Sequence, residues 1–299
     1  MRQNKMKLEK LAYAKINLYL DVLSKMENGY HEIESVMQSV SLCDKITLDI
    51  TNCDDFIVDI SAEGLTIPND KTNLIYRATE GFFTALANKT GKKYTGKFNF
   101  LVEKNIPIGA GMAGGSADCA CALRLLNEAY HFPFTSDELL AIGGKIGADV
   151  SFCLIGGTAI CKGVGEKITP LPPLEDVFLV CAIDNSSVST PVAFKMLDDE
   201  YGISPLAYGK LDDIVNAINK NDLKAVATHL YNKFEGVIAR DNENVKMIKQ
   251  TLLKNGAIGA IMSGSGPSVF GIFDKEKDQI NAYKALKSNE IRAFLCKTV

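Results

Sequence analysis

The stretch Pro107-Ile108-Gly109-Ala110-Gly111-Met112-Ala113-Gly114-Gly115-Ser116-Ala117-Asp118 decides how the rest of the chain is read. Four glycines fall within the seven positions from 109 to 115. With no Cβ in the way, a glycine backbone can turn its N–H groups inward on one point. A small-residue helix pattern follows: Ala117, Cys119, Ala120, Cys121, Ala122, Leu123, Leu125 and Leu126. Its start adds free N–H groups and the positive end of a helix dipole. The combination predicts an anion cradle, with a nucleoside triphosphate as the expected occupant. The plainer alternative is a glycine-rich turn capping a buried helix.

Gly109-x-Gly111-x-x-Gly114 also matches the dinucleotide fingerprint, but its context differs. That motif needs a strand running straight into the first glycine. Here the strand-like Phe98-Asn99-Phe100-Leu101-Val102 is separated from it by Glu103-Lys104-Asn105-Ile106-Pro107. A second helix signal follows the first helix, where the fingerprint wants a strand ending in an acid. A Walker A loop is excluded, because nowhere in the chain does Gly-Lys precede Ser or Thr.

Working outward, 299 residues with 46% apolar content suffice for two domains, or one large one. The net charge of −3 and the lack of a Lys/Arg block argue against nucleic-acid binding. No apolar run reaches the length of a membrane span, and Met1–Lys7 does not read as a signal peptide. Eight cysteines occur without a C-x-x-C pair, which points to a reducing, cytoplasmic setting. Three histidines without nearby cysteines do not make a structural zinc site.

Upstream of the glycines, Leu8–Leu23 reads as one or two strands. Lys15 and Asn17 lie inside it. A lysine there is either at an edge, snorkelling to water, or a functional cation. Asn28-Gly29 is a turn, and Tyr30-His31-Glu32 follows it. Tyr30 and His31 are either surface residues or holders of a planar base. Lys45–Thr51 and Phe56–Ile60 alternate as strands, with Asn52–Asp55 as a hairpin turn. Thr72 or Asn73 caps a helix that Gly91 ends. Downstream, Thr135-x-x-Glu138 is a capping box. In Gly147-Ala148-Asp149-Val150, Asp149 is either a partly buried acid or a residue capping or turning the chain between helix and strand. Gly163-Val164-Gly165 and Pro170–Pro173 make the best linker, placing a domain boundary near residue 165.

The second half runs strand (Val177–Ile183), two amphipathic helices (Leu211–Ile218 and Leu223–Phe234), a helix around Val245–Leu252, and strands Ile258–Met262 and Ser268–Phe273. A helix around Ile280–Leu286 and a strand at Ile291–Cys296 complete it. That order predicts a ferredoxin-like split βαβ layout.

Together these blocks resemble the GHMP kinases, a family of small-molecule kinases. Pro107–Ser116 resembles the family's phosphate loop, and Ser263-Gly264-Ser265-Gly266 its C-terminal glycine loop. Ala14-Lys15-Ile16-Asn17-Leu18, Gly29-Tyr30-His31-Glu32 and Gly147-Ala148-Asp149-Val150 resemble a branch whose acceptor alcohol carries a cytidine diphosphate. Ala113 departs from a common glycine, Ala117 from a common serine, and Ser151 from a common proline.

The resemblance implies an α+β, two-domain GHMP kinase fold. Residues 1–165 would form a ribosomal-protein-S5-like ATP-binding domain, and residues 166–299 a ferredoxin-like domain. It implies ATP as co-substrate with Mg²⁺, and an alcohol as phosphoryl acceptor. ATP would lie on Pro107, Gly109, Ala110, Gly111, Met112, Ala113, Gly114, Gly115 and Ser116, with Asn73 near adenine and Ser116 a possible Mg²⁺ contact. Asp149 would be the base and Lys15 the cation that keeps it ionised. Asn17, Tyr30, His31, Thr190, Gly264, Ser265 and Gly266 would bind the acceptor. The partner is then a small molecule, without nucleic acid or membrane, and the enzyme a monomer or homodimer. The rivals are a homoserine- or mevalonate-type GHMP kinase, a ribokinase-type enzyme, and a non-catalytic nucleotide sensor on the same fold.

Overall fold

The computed structural model describes residues 6–63, 65–184, 189–201, 210–240 and 242–299. Two long strands open the chain, β1 (Met6–Lys25) and β2 (His31–Thr51), joined through Asn28-Gly29. There follow β3 (Phe56–Ala62), α1 (Leu74–Thr90), β4 (Gly96–Glu103), α2 (Gly114–Ala129), α3 (Ser136–Gly144) and α4 (Ala148–Ile155). Next come β5 (Thr158–Gly163), β6 (Lys167–Pro170), β7 (Phe178–Ile183), α5 (Thr190–Tyr201), α6 (Leu211–Asn219) and α7 (Leu223–Thr228). The chain closes with β8 (Tyr231–Asn232), α8 (Glu235–Ile238), α9 (Glu243–Lys254), β9 (Gly259–Met262), β10 (Ser268–Phe273), α10 (Glu276–Ser288) and β11 (Arg292–Lys297).

Two compact units divide the described residues. One holds those within Met1–Ala14, Cys43–Ile108 and Ala113–Ile155; the other holds those within Lys15–Leu42, Gly109–Met112 and Gly156–Val299. Both units are discontinuous because β1 and β2 each contribute one half to each.

In the first unit, Lys45–Thr51 of β2 pairs antiparallel with β4, and β3 pairs parallel with β4. The expected hairpin at Asn52–Asp55 is therefore absent. β4 takes the place beside β2, and α1 is the crossover that a parallel β3–β4 pair requires. The Asn73 side chain caps α1 and Gly91 ends it at φ 70°. Thr135 and Glu138 form the expected capping box on α3. Phe82, Phe83, Phe98, Tyr130 and Phe134 fill the core with ring contacts such as Phe83–Phe98 at 4.6 Å and Phe82–Phe134 at 5.1 Å. Asp149 does not turn the chain from helix to strand; it sits in the first turn of α4.

The second unit carries a four-stranded sheet in the order β11-β7-β10-β9, with every neighbour antiparallel. Numbered within the half, that is 4-1-3-2, the ferredoxin-like arrangement read from the sequence. α9 buries Val245, Ile248 and Leu252, and α10 buries Ala282 and Leu286, in one core with Val180, Met262 and Val269. Two expectations fail here. Gly163–Gly165 is not a linker but the turn of a β5–β6 hairpin, in which Lys162 faces Lys167 and Gly163 takes φ 73°. The helix expected over Leu223–Phe234 stops at Thr228, and Tyr231–Asn232 forms β8, parallel to β1 at Tyr19–Leu20. Leu230 and Phe234 thus keep helical spacing by coincidence, flanking a strand. α5 carried no signal that the sequence reading used. No described helix is long and apolar enough to cross a membrane.

Candidate active site

Within the second unit the two glycine stretches meet backbone to backbone. A Cβ on Gly111 would lie 2.5 Å from the Ser263 carbonyl oxygen, and one on Gly264 2.8 Å from that of Gly111. Both residues also have positive φ, 73° and 59°, so glycine is required twice over. The Ser263 hydroxyl donates to the Gly111 carbonyl at 3.4 Å and accepts the Asn17 backbone N–H at 3.2 Å. Met112 is buried, and its carbonyl accepts the Lys15 N–H at 3.2 Å. Thr190, the first residue of α5, brings its hydroxyl within 3.1 Å of that of Ser265.

Lys15 lies on β1, which β8 joins only further along, at Tyr19–Leu20. Its side chain does not snorkel to water: the residue is 4% exposed, and Nζ donates to Asn17 Oδ1 at 2.8 Å. Asn17 is fixed in turn, its Nδ2 donating to Ser35 Oγ at 2.8 Å, while that hydroxyl donates to the Tyr19 carbonyl at 2.6 Å. The amide sets the direction of this buried side chain.

The start of α2 belongs to the first unit. Ala113 is the N-cap of α2, at φ 56° and ψ 32°, and its side chain offers no capping oxygen. The left-handed backbone there explains why a glycine suits the position. Ser116 is half-buried in the first turn. Beneath this turn lies a buried ionic cluster that the sequence reading missed. Lys104 Nζ bonds Asp44 and sits 2.7 Å from Asp118 Oδ2. Asp44 Oδ1 accepts the Asn105 and Ile106 N–H groups at 2.6 and 2.8 Å, fixing the chain that leads to Pro107. A Cβ on Gly114 would press on Ile106 and on Lys104 Nζ, at 2.9 and 3.1 Å. One ammonium thus serves two carboxylates. Burial pushes the Asp118 carboxyl up to about 7; Lys104 opposes the rise and Asp44 adds to it. Asp118 Oδ1 is buried with no hydrogen-bond partner, which favours the protonated form.

Asp149 is half-buried in the first turn of α4. Asn73 spends its side chain on structure: Oδ1 accepts the Ile75 N–H at 2.9 Å and Nδ2 donates to the Pro68 carbonyl at 2.8 Å. In the second unit, His31 stacks on Phe194 at 4.5 Å and 18°, with Nε2 2.7 Å from Asp198 Oδ1. Phe194 and Asp198 share one face of α5 at i,i+4 spacing. Burial works against the Asp198 carboxylate, yet Lys25 at 2.6 Å and His31 hold it below the usual carboxylate range. Tyr30 is 65% exposed. Ser187 and Val188, upstream of Thr190, lie outside the described residues.

Two family models match this chain: the GHMP kinases N terminal domain over residues 73–157 and the GHMP kinases C terminal over residues 214–292. The chain belongs to the GHMP kinase family. A 4-diphosphocytidyl-2-C-methyl-D-erythritol kinase of Clostridium tetani is 38% identical to it, over 96% of this chain and 99% of that protein. A protein of the same name from Caldicellulosiruptor bescii is 40% identical, over 95% and 94%. A crystal structure of a 4-(cytidine 5'-diphospho)-2C-methyl-D-erythritol kinase superposes with a TM-score of 0.76 at 29% identity, covering 97% and 99% of the two chains.

As a GHMP kinase, the chain is an ATP-dependent phosphotransferase with an alcohol as acceptor and a small molecule as substrate. Phosphoryl transfer needs alignment and charge neutralisation more than covalent help. The α2 cysteines after the glycine stretch are buried fillers. Burial raises the Cys119 thiol far above its usual range and pushes Cys121 up to about 12, so neither is a nucleophile at neutral pH.

Proposed function

We propose that the chain transfers the ATP γ-phosphoryl group to the 2-hydroxyl of 4-diphosphocytidyl-2-C-methyl-D-erythritol, a step of non-mevalonate isoprenoid precursor synthesis in the cytoplasm. The observation that carries this reading is the near full-length likeness, at 38% and 40% identity, to kinases of that name. The block Gly29-Tyr30-His31-Glu32 adds to it. His31 presents an imidazole beside an aromatic ring and a carboxylate, groups suited to stacking on a pyrimidine and bonding its edge.

In this proposal the backbone of Pro107 and Gly109–Ser116 grips the triphosphate, with Asn73 near adenine. Asp149 takes the proton of the acceptor hydroxyl, and Lys15 keeps Asp149 ionised. Asn17, Tyr30, His31, Thr190, Gly264, Ser265 and Gly266 hold the acceptor. Among the described residues, no group of three or more His, Cys, Asp or Glu side chains could hold a metal by itself. The Mg²⁺ of this proposal is carried mainly by the triphosphate, with Ser116 Oγ as its protein contact. Such an ion would neutralise phosphate charge. We assign nucleotide binding to residues 1–165 and the ferredoxin-like half to residues 166–299, a division of labour along the chain rather than of compact bodies. The working form is a monomer or homodimer.

A coupled ADP-release assay comparing this acceptor with homoserine and mevalonate tests the reading. Turnover with the cytidine-bearing acceptor alone is expected; turnover with either of the others instead would replace it. His31→Ala is expected to raise the acceptor KM far more than the ATP KM. Equal effects on both would remove the base-binding role.

A further inference from the structure

β8 is two residues long, and Asn232 is one of them. The residue is 4% exposed. Its Nδ2 donates to the Met262 carbonyl at 2.7 Å and to the Gly264 carbonyl at 2.9 Å. Its Oδ1 accepts the Phe234 N–H at 3.0 Å, which fixes the orientation of the amide. Both amide N–H groups are thereby spent on the C-terminal glycine loop, at the last residue of β9 and at the residue of φ 59°. Glu235, three residues on, accepts the Met262 N–H at 2.9 Å and is paired with Lys249. From its other side the loop meets Gly111: a Cβ on Gly264 would lie 2.8 Å from the Gly111 carbonyl oxygen. That contact leaves no slack, so a shift at Gly264 is a shift at Gly111.

We propose that Asn232 is a positioning residue of the phosphoryl-transfer site, a clamp that sets the Ser263–Gly266 loop and, through Gly264, the Gly109–Met112 nest. The physical reason is the accounting of buried carbonyls. Those of Met262 and Gly264 must be paired inside the protein. A two-donor amide pairs both without adding charge beside a nest that must stay open to an anion. An aspartate of the same shape would set a carboxylate against two carbonyl oxygens, and an alanine would leave both unpaired. Asn232 lies on the side of the loop away from Gly111 in the bonding chain, and it acts through the loop rather than on the reactants.

The inference deepens the kinase reading above and rests on it for its kinetic arm. Asn232→Ala is compared with wild type and with Val245→Ala, a truncation in the α9 core that shares the packing around Met262 but removes none of the hydrogen bonds to the loop. Thermal unfolding establishes that each variant is folded at the assay temperature. Asn232→Ser, which keeps one donor, replaces the alanine variant should that one not fold. The expected result is a fall in kcat on the order of a hundredfold, the cost of ångström-scale misplacement, with Val245→Ala near wild-type kcat despite a lower Tm. A folded Asn232→Ala with the kcat of Val245→Ala overturns the proposal, since a merely structural residue moves only Tm. If the wild type does not turn over the cytidine-bearing acceptor, the function proposed above fails on its own. Amide hydrogen exchange then decides the clamp. Faster exchange in Asn232→Ala at both 109–112 and 263–266, but not in Val245→Ala, supports it; unchanged exchange at 109–112 overturns it.

Discussion

The two glycine-rich segments of this kinase are stiffened by opposite means. Ser263–Gly266 is held mainly by neutral donors and acceptors, the Asn232 amide, the Ser263 hydroxyl and the Asn17 backbone, with the Glu235 carboxylate on the Met262 N–H just before it. The approach to Gly109 and the helix after it are held by charge: Lys104 set between Asp44 and Asp118. The neutral support touches the glycine loop directly. The charged support acts along the chain, bonded to Asn105 and Ile106 before Gly109 and to the second turn of α2 after it. A nest for a polyanion must keep its own N–H groups free, so its rigidity has to come from neighbours. The charged support carries one cation against two carboxylates, and burial raises the Asp118 carboxyl, which makes the first segment's support pH-sensitive.

Removing the shared cation breaks that contrast most severely. Lys104→Met leaves two carboxylates buried and uncompensated, and the expected destabilisation is about 3–5 kcal/mol. Denaturant unfolding should show part of the loss recovered on acidification, as the carboxylates take up protons. An equal loss at all pH values would mean that Lys104 acts by packing alone.

A smaller effect is expected from Asp118→Asn, which keeps the shape and removes the titration. The Asp118 carboxyl is raised from 3.8 to about 7 in the folded protein. The folded state therefore binds more protons between those values, and the stabilisation present at low pH is lost as pH rises toward 7. The slope from one such group is at most about 1.4 kcal/mol per pH unit. Asp198 works in the opposite sense: its depressed pKa gives stability that is lost as pH falls through the acid range. The difference between wild type and Asp118→Asn isolates the first group. It should shrink from pH 8 toward pH 5; a constant difference contradicts the assignment.

Ala113→Gly has the smallest expected effect. Relief of the left-handed strain at φ 56° offsets the extra entropy of an unfolded glycine, each roughly 1 kcal/mol. Tm should change little and ATP binding not at all.

Much of this site was legible in the chain because backbone requirements write themselves as residue types. Gly111 and Gly264 are glycines because nothing else fits, and the capping residues Asn73 and Thr135 announced α1 and α3. The 4-1-3-2 sheet also followed from element order. The missed parts are those set by partners distant in sequence. Lys104 looked like a loop lysine until Asp44 and Asp118 closed around it. Asn232 was hidden in a false helical period, since a two-residue strand leaves no periodicity to read. Phe194 and Asp198 meet His31 only through α5, and the Gly163–Gly165 turn looked like a linker because hairpin turns and linkers share a composition.

The central claim is that gripping phosphate and accepting the proton are separate tasks, given to the glycine nest and to Asp149. Asp149→Asn, measured for turnover and for ATP binding on the same preparation, tests it most directly. The account predicts that turnover falls about a hundredfold or more, by general-base magnitudes, while ATP affinity stays at the wild-type value. Turnover close to wild type, or loss of ATP binding together with turnover, would contradict it.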